Sequence, residues 1–383
     1  MDLFEKGEIA DVYEKITYLE NDQSLYEATK ATKNTNEKHK IYTIALVPDY
    51  LNLVLKNDKK HVQKTYSQNN LGYAIRIKNI VNLDGYLKSQ FKSNSKVIKR
   101  SLTRLESCFN IRYQIIFGSI TKEEYGFLMS TLREMLIRRF AQRQDDNKKI
   151  KEWDLILDKT FDQIKNKEAS LFIIYDNEKP IDISLNYHFD KIMFSAISSY
   201  DIDYHKFGVG HVEMIKLVEW CLKDQYDFLE LGYGDLDFKR RWCNHIYNFK
   251  YQVVYNQESL FIPIFAKMEL YKLSLKEYLK GRKINMIFNI IMEKLSFKKL
   301  KELNEASDFT IKNISITESV GYEILSIVDP ETEDYMYLRR ILNEFLYTSQ
   351  EHKDYTSIFK ISENPNTFLL KGKVNAQQIT FKN

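Results

Sequence analysis

The chain has 383 residues, of which 44% are apolar and 29% are charged, so it is long enough and apolar enough for two or three globular domains. A net charge of +4 does not require a nucleic-acid partner, and three cysteines without a CxxC spacing argue against a disulfide framework. The first residues lack the basic-then-apolar order of a signal peptide, and no apolar run reaches the roughly 18 residues of a membrane-spanning helix. We therefore expect a cytoplasmic protein without a transmembrane segment.

The amino-terminal part combines predicted strands with a basic helix. Strands are predicted at Ile41–Val47 and Tyr73–Ile77, and apolar spacing predicts a helix over about Leu83–Cys108. The polar side of this helix carries six cations and no acid over Lys88–Arg104. This stripe is suited to tRNA phosphates, an anionic lipid surface or a nucleotide-sugar acceptor, and a solvated helix face is the alternative.

The middle of the chain changes from helices to consecutive strands. A strand at Ile111–Phe117 and helices at about 121–140 and 149–165 come first. Three segments with short turns then predict an antiparallel meander, at Leu171–Tyr175, Ile181–His188 and Ile192–Ser198. A helix and further strands follow, so the fold class we predict is α+β.

A glycine turn follows the meander and leads into a predicted helix at about Val209–Lys223. The first N–H groups of a helix have no partner within it, and the helix dipole adds partial positive charge, so a pyrophosphate binds well there. Gly208 and Gly210 allow the backbone to approach phosphates closely. A tight strand-to-helix turn without a ligand is the alternative. A dinucleotide motif is not formed, because Glu213 occupies the position of its third glycine.

Several motifs carry a family resemblance. The segment His205-Lys206-Phe207-Gly208-Val209-Gly210 resembles the Q/R-x-x-G-x-G/A acyl-CoA motif of the GNAT acetyltransferases, with His205 where Gln or Arg is usual. The surrounding chain, about Phe91–Tyr255, is similar to the CelD-like branch of that superfamily, which is related to the FemABX peptidyltransferases. The further matching segments are Lys96–Leu105, Ser199-Tyr200-Asp201, Phe228-Leu229-Glu230-Leu231-Gly232 and Phe238-Lys239-Arg240-Arg241-Trp242.

The resemblance implies a mixed, mostly antiparallel sheet flanked by helices, in two GNAT-like halves with a small carboxy-terminal module. It also implies that acyl-CoA, with acetyl-CoA as the expected donor, is bound by the turn and its neighbours. The expected cofactor-binding residues are His205, Lys206, Phe207, Gly208, Val209, Gly210 and His211. The acyl group would pass directly to an amine or hydroxyl, so the protein must position both substrates and accept a proton.

Four residues are candidates for this chemistry. Glu230 at a strand end and Asp235 in the following loop are candidate bases, because a partly desolvated carboxylate has a raised pKa. The alternative is that Glu230 pairs with a lysine and Asp235 caps the next helix. Lys239 either binds an anionic acceptor or is a surface lysine, and His188 either faces the acceptor or is simply packed. No nucleophile–base pair, metal motif or P-loop is present, so we expect no metal.

We expect four regions: an amino-terminal GNAT-like subdomain (1–109), an acyl-CoA-binding GNAT domain (110–256), a helical connection (257–303) and a small acidic module (304–383) to which no chemistry is assigned. In the connection, the basic and apolar stretch Lys267–Arg282 either lies on a membrane or packs on the sheet. The expected function is acyl transfer to a small-molecule or glycan-intermediate acceptor. The alternatives are a FemABX-like aminoacyltransferase that uses charged tRNA, and an inactive GNAT scaffold that binds a partner.

Overall fold

The computed structural model describes residues 2–6, 9–27, 41–143, 148–234, 236–282, 309–361 and 366–382. The chain divides into two compact units. Unit 1 consists of Met1–Gln90, Asn186–Ala196 and Val218–Leu300, and unit 2 consists of Phe91–Leu185, Ile197–Leu217 and Lys301–Asn383. The four regions predicted from the sequence stay a prediction, and residues 283–303 of the predicted helical connection lie outside the described residues.

Runs of consecutive strands are separated by helices along the chain. The strands are β1 (Tyr13–Tyr18), β2 (Ser24–Glu27), β3 (Ile41–Pro48), β4 (Leu51–Leu55), β5 (His61–Arg76), β6 (Ile111–Ile116), β7 (Ala169–Asp176), β8 (Lys179–Phe189), β9 (Ile192–Tyr200), β10 (Phe228–Tyr233), β11 (His245–Asn256), β12 (Phe309–Ile314), β13 (Ile324–Val328), β14 (Ser357–Ile361), β15 (Thr367–Lys371) and β16 (Ala376–Phe381). The α-helices are α1 (Asp2–Lys6), α2 (Leu83–Phe91), α3 (Ser95–Cys108), α4 (Lys122–Arg143), α5 (Lys148–Lys151), α6 (Trp153–Lys165), α7 (Val209–Lys223), α8 (Asp237–Trp242), α9 (Ile262–Gly281), α10 (Ile316–Ser319) and α11 (Arg339–Ser349).

Unit 1 is built on a mostly antiparallel sheet. Strands β3, β11, β5 and β10 lie side by side in that order with antiparallel pairing, and β10 pairs in parallel with the first residues of β9. Helix α9 packs on this sheet, since Ile262, Ala266 and Leu273 share a core cluster with β11 residues Tyr251 and Val253. A second, three-stranded sheet has the order β2-β1-β4.

Unit 2 contains the strand order β9-β8-β7-β6 and a separate five-stranded sheet. β7 is buried over its whole length, and β6 pairs with it from Ile111 opposite Asp176 to Ile116 opposite Leu171. The turn after β7 uses Asn177 at a positive φ of 53°, which Asn tolerates well. The five-stranded sheet is antiparallel throughout, in the order β12-β16-β15-β14-β13. The α+β fold class and the predicted meander are thus confirmed.

The prediction of one continuous helix over Leu83–Cys108 is wrong, because the structure has two helices with a break between them. A 3-10 turn at Lys92–Asn94 separates α2 from α3, and Lys92 has a positive φ of 50°. Ser93 and Asn94 favour such a break, since their side chains compete for backbone hydrogen bonds. The six cations therefore do not share one helix face, although Lys96, Lys99, Arg100 and Arg104 all lie on α3.

No helix among the described residues is both long enough and apolar enough to cross a bilayer.

Candidate functional site

In unit 1, the backbone of β10 fixes the carboxyl group of Glu230. Glu230 is fully buried and lies opposite Ala74 of β5. The register then shifts, because three steps along β10 to Tyr233 match only two steps along β5 to Gly72. This extra residue is a β-bulge, and Gly232 within it adopts a positive φ of 72°. The Gly232 N–H donates to Glu230 Oε1 at 2.8 Å, so the bulge itself holds the carboxyl group.

Two buried tyrosines face the same carboxyl group. Tyr50 Oη donates to Glu230 Oε2 at 3.0 Å, and the Tyr50 ring stacks on Phe228 with 4.7 Å between centroids. The Tyr247 ring lies edge-on to Tyr50, with 5.0 Å between ring centroids. The Tyr247 hydroxyl lowers the pKa of Glu230, but it does not form a hydrogen bond of ordinary geometry with a described residue. A Cβ at Gly72 would collide with the Tyr247 ring, so glycine is required there. Burial, and next the charge of Glu230, raises the pKa of both tyrosines, which stay hydrogen-bond donors.

The electrostatics of this cluster suit proton transfer near neutral pH. Burial raises the pKa of Glu230 to about 7, while the nearby Tyr247 hydroxyl, the hydrogen bonds from Gly232 and Tyr50 and the charge of Lys239 lower it. Burial also lowers the pKa of Lys239 to about 8, against the charge of Glu230, which raises it. Lys239 Nζ donates to the Tyr233 carbonyl at 2.8 Å. A carboxyl group with a pKa near 7 can both accept and release a proton at physiological pH.

The other two catalytic candidates have different surroundings. His188 Nδ1 lies 2.8 Å from Tyr226 Oη, and the His188 ring is 5.4 Å from the ring of Trp220. Burial lowers the pKa of His188 to about 3, so the ring is neutral at physiological pH. These contacts favour the interpretation of His188 as a packed residue. Asp235 lies outside the described residues.

In unit 2, the predicted glycine turn joins a 3-10 helix, Ile202–Phe207, to α7. Asp201 caps the 3-10 helix, since its side chain accepts from the Asp203 N–H at 3.2 Å. Gly208 ends it in the left-handed conformation with a φ of 65°, and a Cβ at Gly208 would lie 2.8 Å from Ser101 Oγ on α3. Glycine is therefore required at position 208 for two reasons: the left-handed backbone conformation and the close approach of Ser101. At the start of α7 the His211 N–H already donates to the Gly208 carbonyl at 2.8 Å, so the candidate backbone donors to a ligand are the N–H groups of Val209 and Gly210.

The side chains of this turn differ in what they offer a ligand. Phe207 and Val209 are fully buried, so they offer only backbone groups, whereas Lys206 is exposed. Phe207 packs against Phe109 and Tyr347, with centroid distances of 5.0 Å and 5.3 Å. His205, Gly210 and His211 are half-buried. Burial, and next the charge of Arg340, lowers the pKa of His205, so His205 adds little positive charge near pH 7.

Sequence reasoning missed a buried acidic pair in unit 2. Asp182 on β8 is fully buried, and neither of its carboxylate oxygens has a hydrogen-bond partner among the described residues. Glu213 on α7 is also buried and accepts from Ser198 Oγ at 2.6 Å. Burial raises the pKa of both acids; the charge of Glu213 raises that of Asp182 further, whereas Arg139 lowers both. The alternation of β8 predicts one buried face, but the structure buries both, which encloses these polar residues.

The partners of Glu230 were missed for a different reason. Tyr50 is 180 positions away in the sequence, and no local pattern links it to β10. The described residues contain no group of three or more His, Cys, Asp or Glu side chains arranged to hold a metal ion.

One family model and several solved structures are similar to parts of the chain. The model of the acetyltransferase (GNAT) domain family matches residues 92–240, which include the glycine turn and Glu230. Among solved structures, the chain is similar to a conserved protein of unknown function from Bacteroides thetaiotaomicron (9% identity, TM-score 0.36, 52% of this chain and 63% of that chain). It is also similar to the C-terminal domain of a protein assigned as a lysylphosphatidylglycerol synthetase from Agrobacterium fabrum (10%, 0.36, 50% and 61%) and to FemX (11%, 0.26, 48% and 62%).

In each case the chain spans less than two thirds of the similar protein's length. No match was found among curated proteins.

Proposed function

We propose, from the premise that residues 92–240 belong to the GNAT acetyltransferase family, that the chain is an acyltransferase that uses acyl-CoA, with acetyl-CoA as the expected donor. The acceptor would be an amine or hydroxyl of a small molecule or of a sugar-containing intermediate. The observation that carries this proposal is the buried Glu230 carboxyl group, whose pKa is raised to about 7. A buried carboxyl group stabilises the fold poorly when it is charged, and a strongly shifted pKa is common at active sites, so Glu230 favours an enzyme over an inactive scaffold.

We assign binding of the acyl donor to the glycine turn in unit 2. The left-handed Gly208 fits close against Ser101, and the first N–H groups of α7, at Val209 and Gly210, suit the pyrophosphate of coenzyme A. Lys206, which is exposed, adds positive charge. When bound, acyl-CoA supplies the thioester carbonyl that the acceptor attacks.

We assign the role of proton acceptor to the Glu230 carboxylate. As the acceptor nitrogen or oxygen bonds to the acyl carbon, the carbon–sulfur bond would break and coenzyme A would leave as the thiolate. The proton of the nucleophile would pass to the Glu230 carboxylate. Tyr50 and the Gly232 N–H hold the two carboxylate oxygens so that this group needs little reorganisation. Lys239, which is largely protonated at pH 7 because its pKa is about 8, favours the charged carboxylate before the transfer.

A second candidate function is aminoacyl transfer from charged tRNA. The basic side of α3 favours it, since Lys96 and Arg100 are exposed and Lys99 is half-exposed. Phosphate contacts of this kind would make binding fall steeply as the salt concentration rises. Charge reversal of Lys96 and Arg100 would then weaken tRNA binding without changing acetyl-CoA binding.

Calorimetry with two ligands tests these functions. Acetyl-CoA is titrated into the wild-type protein, into Gly208→Val and into Lys206→Ala, with Gly126→Ala as the control because a Cβ there meets no atom within 4 Å. We expect binding that both turn variants weaken and the control retains. Salt-sensitive binding of charged tRNA alone would support the second function, and binding of neither ligand by a folded protein would support the inactive scaffold.

A further inference from the structure

Helix α9 in unit 1 is attached to the sheet by one face. Ile262, Ala266 and Leu273 on that face are buried in the core cluster with β11. Glu277 on the same face is also buried, and it accepts from Tyr251 Oη at 3.0 Å and from the Asn69 N–H at 2.7 Å. These contacts fix the rotation of α9 about its axis, so its opposite face is a defined surface.

That opposite face is apolar and exposed. Apart from the adjacent pair Ile264 and Phe265, its residues follow one another at spacings of three and four, which places them in one stripe along the helix. They are between 44% and 69% exposed: Phe261, Ile264, Phe265, Met268, Tyr271, Leu275 and Tyr278. Leu260, which precedes the stripe, is 86% exposed. A contiguous apolar surface of this kind usually marks an interaction site.

Lysines border this apolar stripe, and the acids of α9 are neutralised by other residues. Lys267 and Lys272 lie on either side of the stripe, and both are exposed. Glu269 pairs with Lys272 at 3.8 Å, and the buried Glu277 pairs with Lys280 at 3.5 Å. The exposed face of α9 is therefore apolar with a basic border.

We propose that this face of α9 docks on an anionic lipid surface. Apolar and aromatic side chains would enter the boundary between headgroups and acyl chains, while the exposed Lys267 and Lys276 would contact anionic headgroups. A second copy of the chain fits this face less well, because Lys267 and Lys276 carry the same charge and the acids of α9, Glu269 and Glu277, are already paired with Lys272 and Lys280. The helix would lie on the membrane, and the proposal does not depend on the acyl-transfer activity.

Vesicle cosedimentation tests the proposal with the full chain. The probes are vesicles of equal parts phosphatidylcholine and phosphatidylglycerol, and vesicles of phosphatidylcholine alone. The apolar variant is Ile264→Ser with Met268→Ser and Tyr271→Ser, and the charge variant is Lys267→Glu with Lys276→Glu. The matched control is Leu325→Ser with Ile327→Ser, since these residues of β13 are also exposed and apolar.

We expect the wild-type protein and the control to bind the anionic vesicles, with at least about a tenfold weaker binding for the apolar and charge variants and for uncharged vesicles. Raised salt should also weaken binding. The proposal is overturned if the protein binds neither vesicle or if the α9 variants bind as the control does. It is also overturned if the apolar variant abolishes a concentration-dependent dimer, seen by sedimentation velocity, while vesicle binding is absent. Circular dichroism of each variant shows whether it is folded.

Discussion

Among single residues, Glu230 has the most specific surroundings. It is fully buried, and each carboxylate oxygen accepts a hydrogen bond, one from Tyr50 and one from the Gly232 N–H. These donors favour the charged form, yet burial outweighs them and raises its pKa to about 7. A base with this pKa loses its function as the pH falls below 7, because the protonated group can no longer accept a proton.

The first prediction is that Glu230→Gln lowers kcat by about 10²- to 10⁴-fold, the usual contribution of a general base. The wild-type rate should rise with pH through about 7. The variant should lack this rising limb of the pH–rate profile, because glutamine does not titrate. Steady-state kinetics across pH measure both effects, with Glu134→Gln as the control because Glu134 is exposed on α4. Unchanged turnover, or a limb that persists in Glu230→Gln, would remove Glu230 as the base.

The second prediction concerns Tyr50→Phe, which removes the hydrogen bond to Glu230 Oε2 and keeps the ring that stacks on Phe228. Because that bond lowers the pKa of Glu230, its loss should raise the pKa further, by about one unit. The limb of the pH–rate profile should therefore move to higher pH, while activity well above the limb is largely retained. A limb that stays in place or moves to lower pH contradicts this role of Tyr50.

At the scale of elements, α11 holds the 3-10 helix that precedes the glycine turn. The buried Asn343 on α11 donates from Nδ2 to the Asp203 carbonyl at 3.1 Å, and Arg339 pairs with the Asp203 carboxylate at 3.6 Å. Tyr347, also on α11, packs against Phe207 and accepts from Arg104 of α3 through its carbonyl. The carboxy-terminal segment therefore contributes directly to the surroundings of the proposed donor site in unit 2.

The third prediction is that Asn343→Ala weakens acetyl-CoA binding about tenfold, equivalent to about 1.4 kcal/mol, because the Asp203 carbonyl loses a buried donor and the turn is less well ordered. Calorimetry with acetyl-CoA measures the change. Asn313→Ala is the matched control, because Asn313 is an exposed asparagine of β12 in the same five-stranded sheet. Equal affinities for the two variants would show that α11 does not position the turn.

Elements with a strong local pattern could be predicted from the sequence. The meander was predictable because β-branched and aromatic residues alternate between short turns, and α7 because its apolar positions recur at helical spacing. The break between α2 and α3 was not, because it depends on one positive φ at Lys92. For α9 the sequence offered packing or exposure to a membrane; packing is confirmed for one face, and the opposite face is exposed.

The candidate site shows the same limit. The glycine turn and Glu230 could be selected as candidates from the sequence because each lies in a short motif that resembles one of the family, and their roles stay predictions; both lie within the matched residues 92–240. The side chains that surround them were not, because Tyr50 and Tyr247 reach Glu230, and Ser101 and Tyr347 reach the turn, from distant parts of the sequence. Such contacts are set by the pairing of strands and the packing of helices, which periodicity within one segment does not encode.

At the scale of the whole molecule, unit 2 combines the glycine turn with the carboxy-terminal segment, residues 301–383. The fourth prediction is that acetyl-CoA slows hydrogen exchange together in the 3-10 helix Ile202–Phe207 and in α11, because a ligand stabilises the unit that binds it, by about 2.7 kcal/mol at a hundred times Kd. Mass spectrometry of peptides with and without acetyl-CoA measures the change, and α9 in unit 1 serves as the internal control. Slower exchange confined to the turn, with α11 unchanged, would mean that residues 304–383 form a module independent of donor binding.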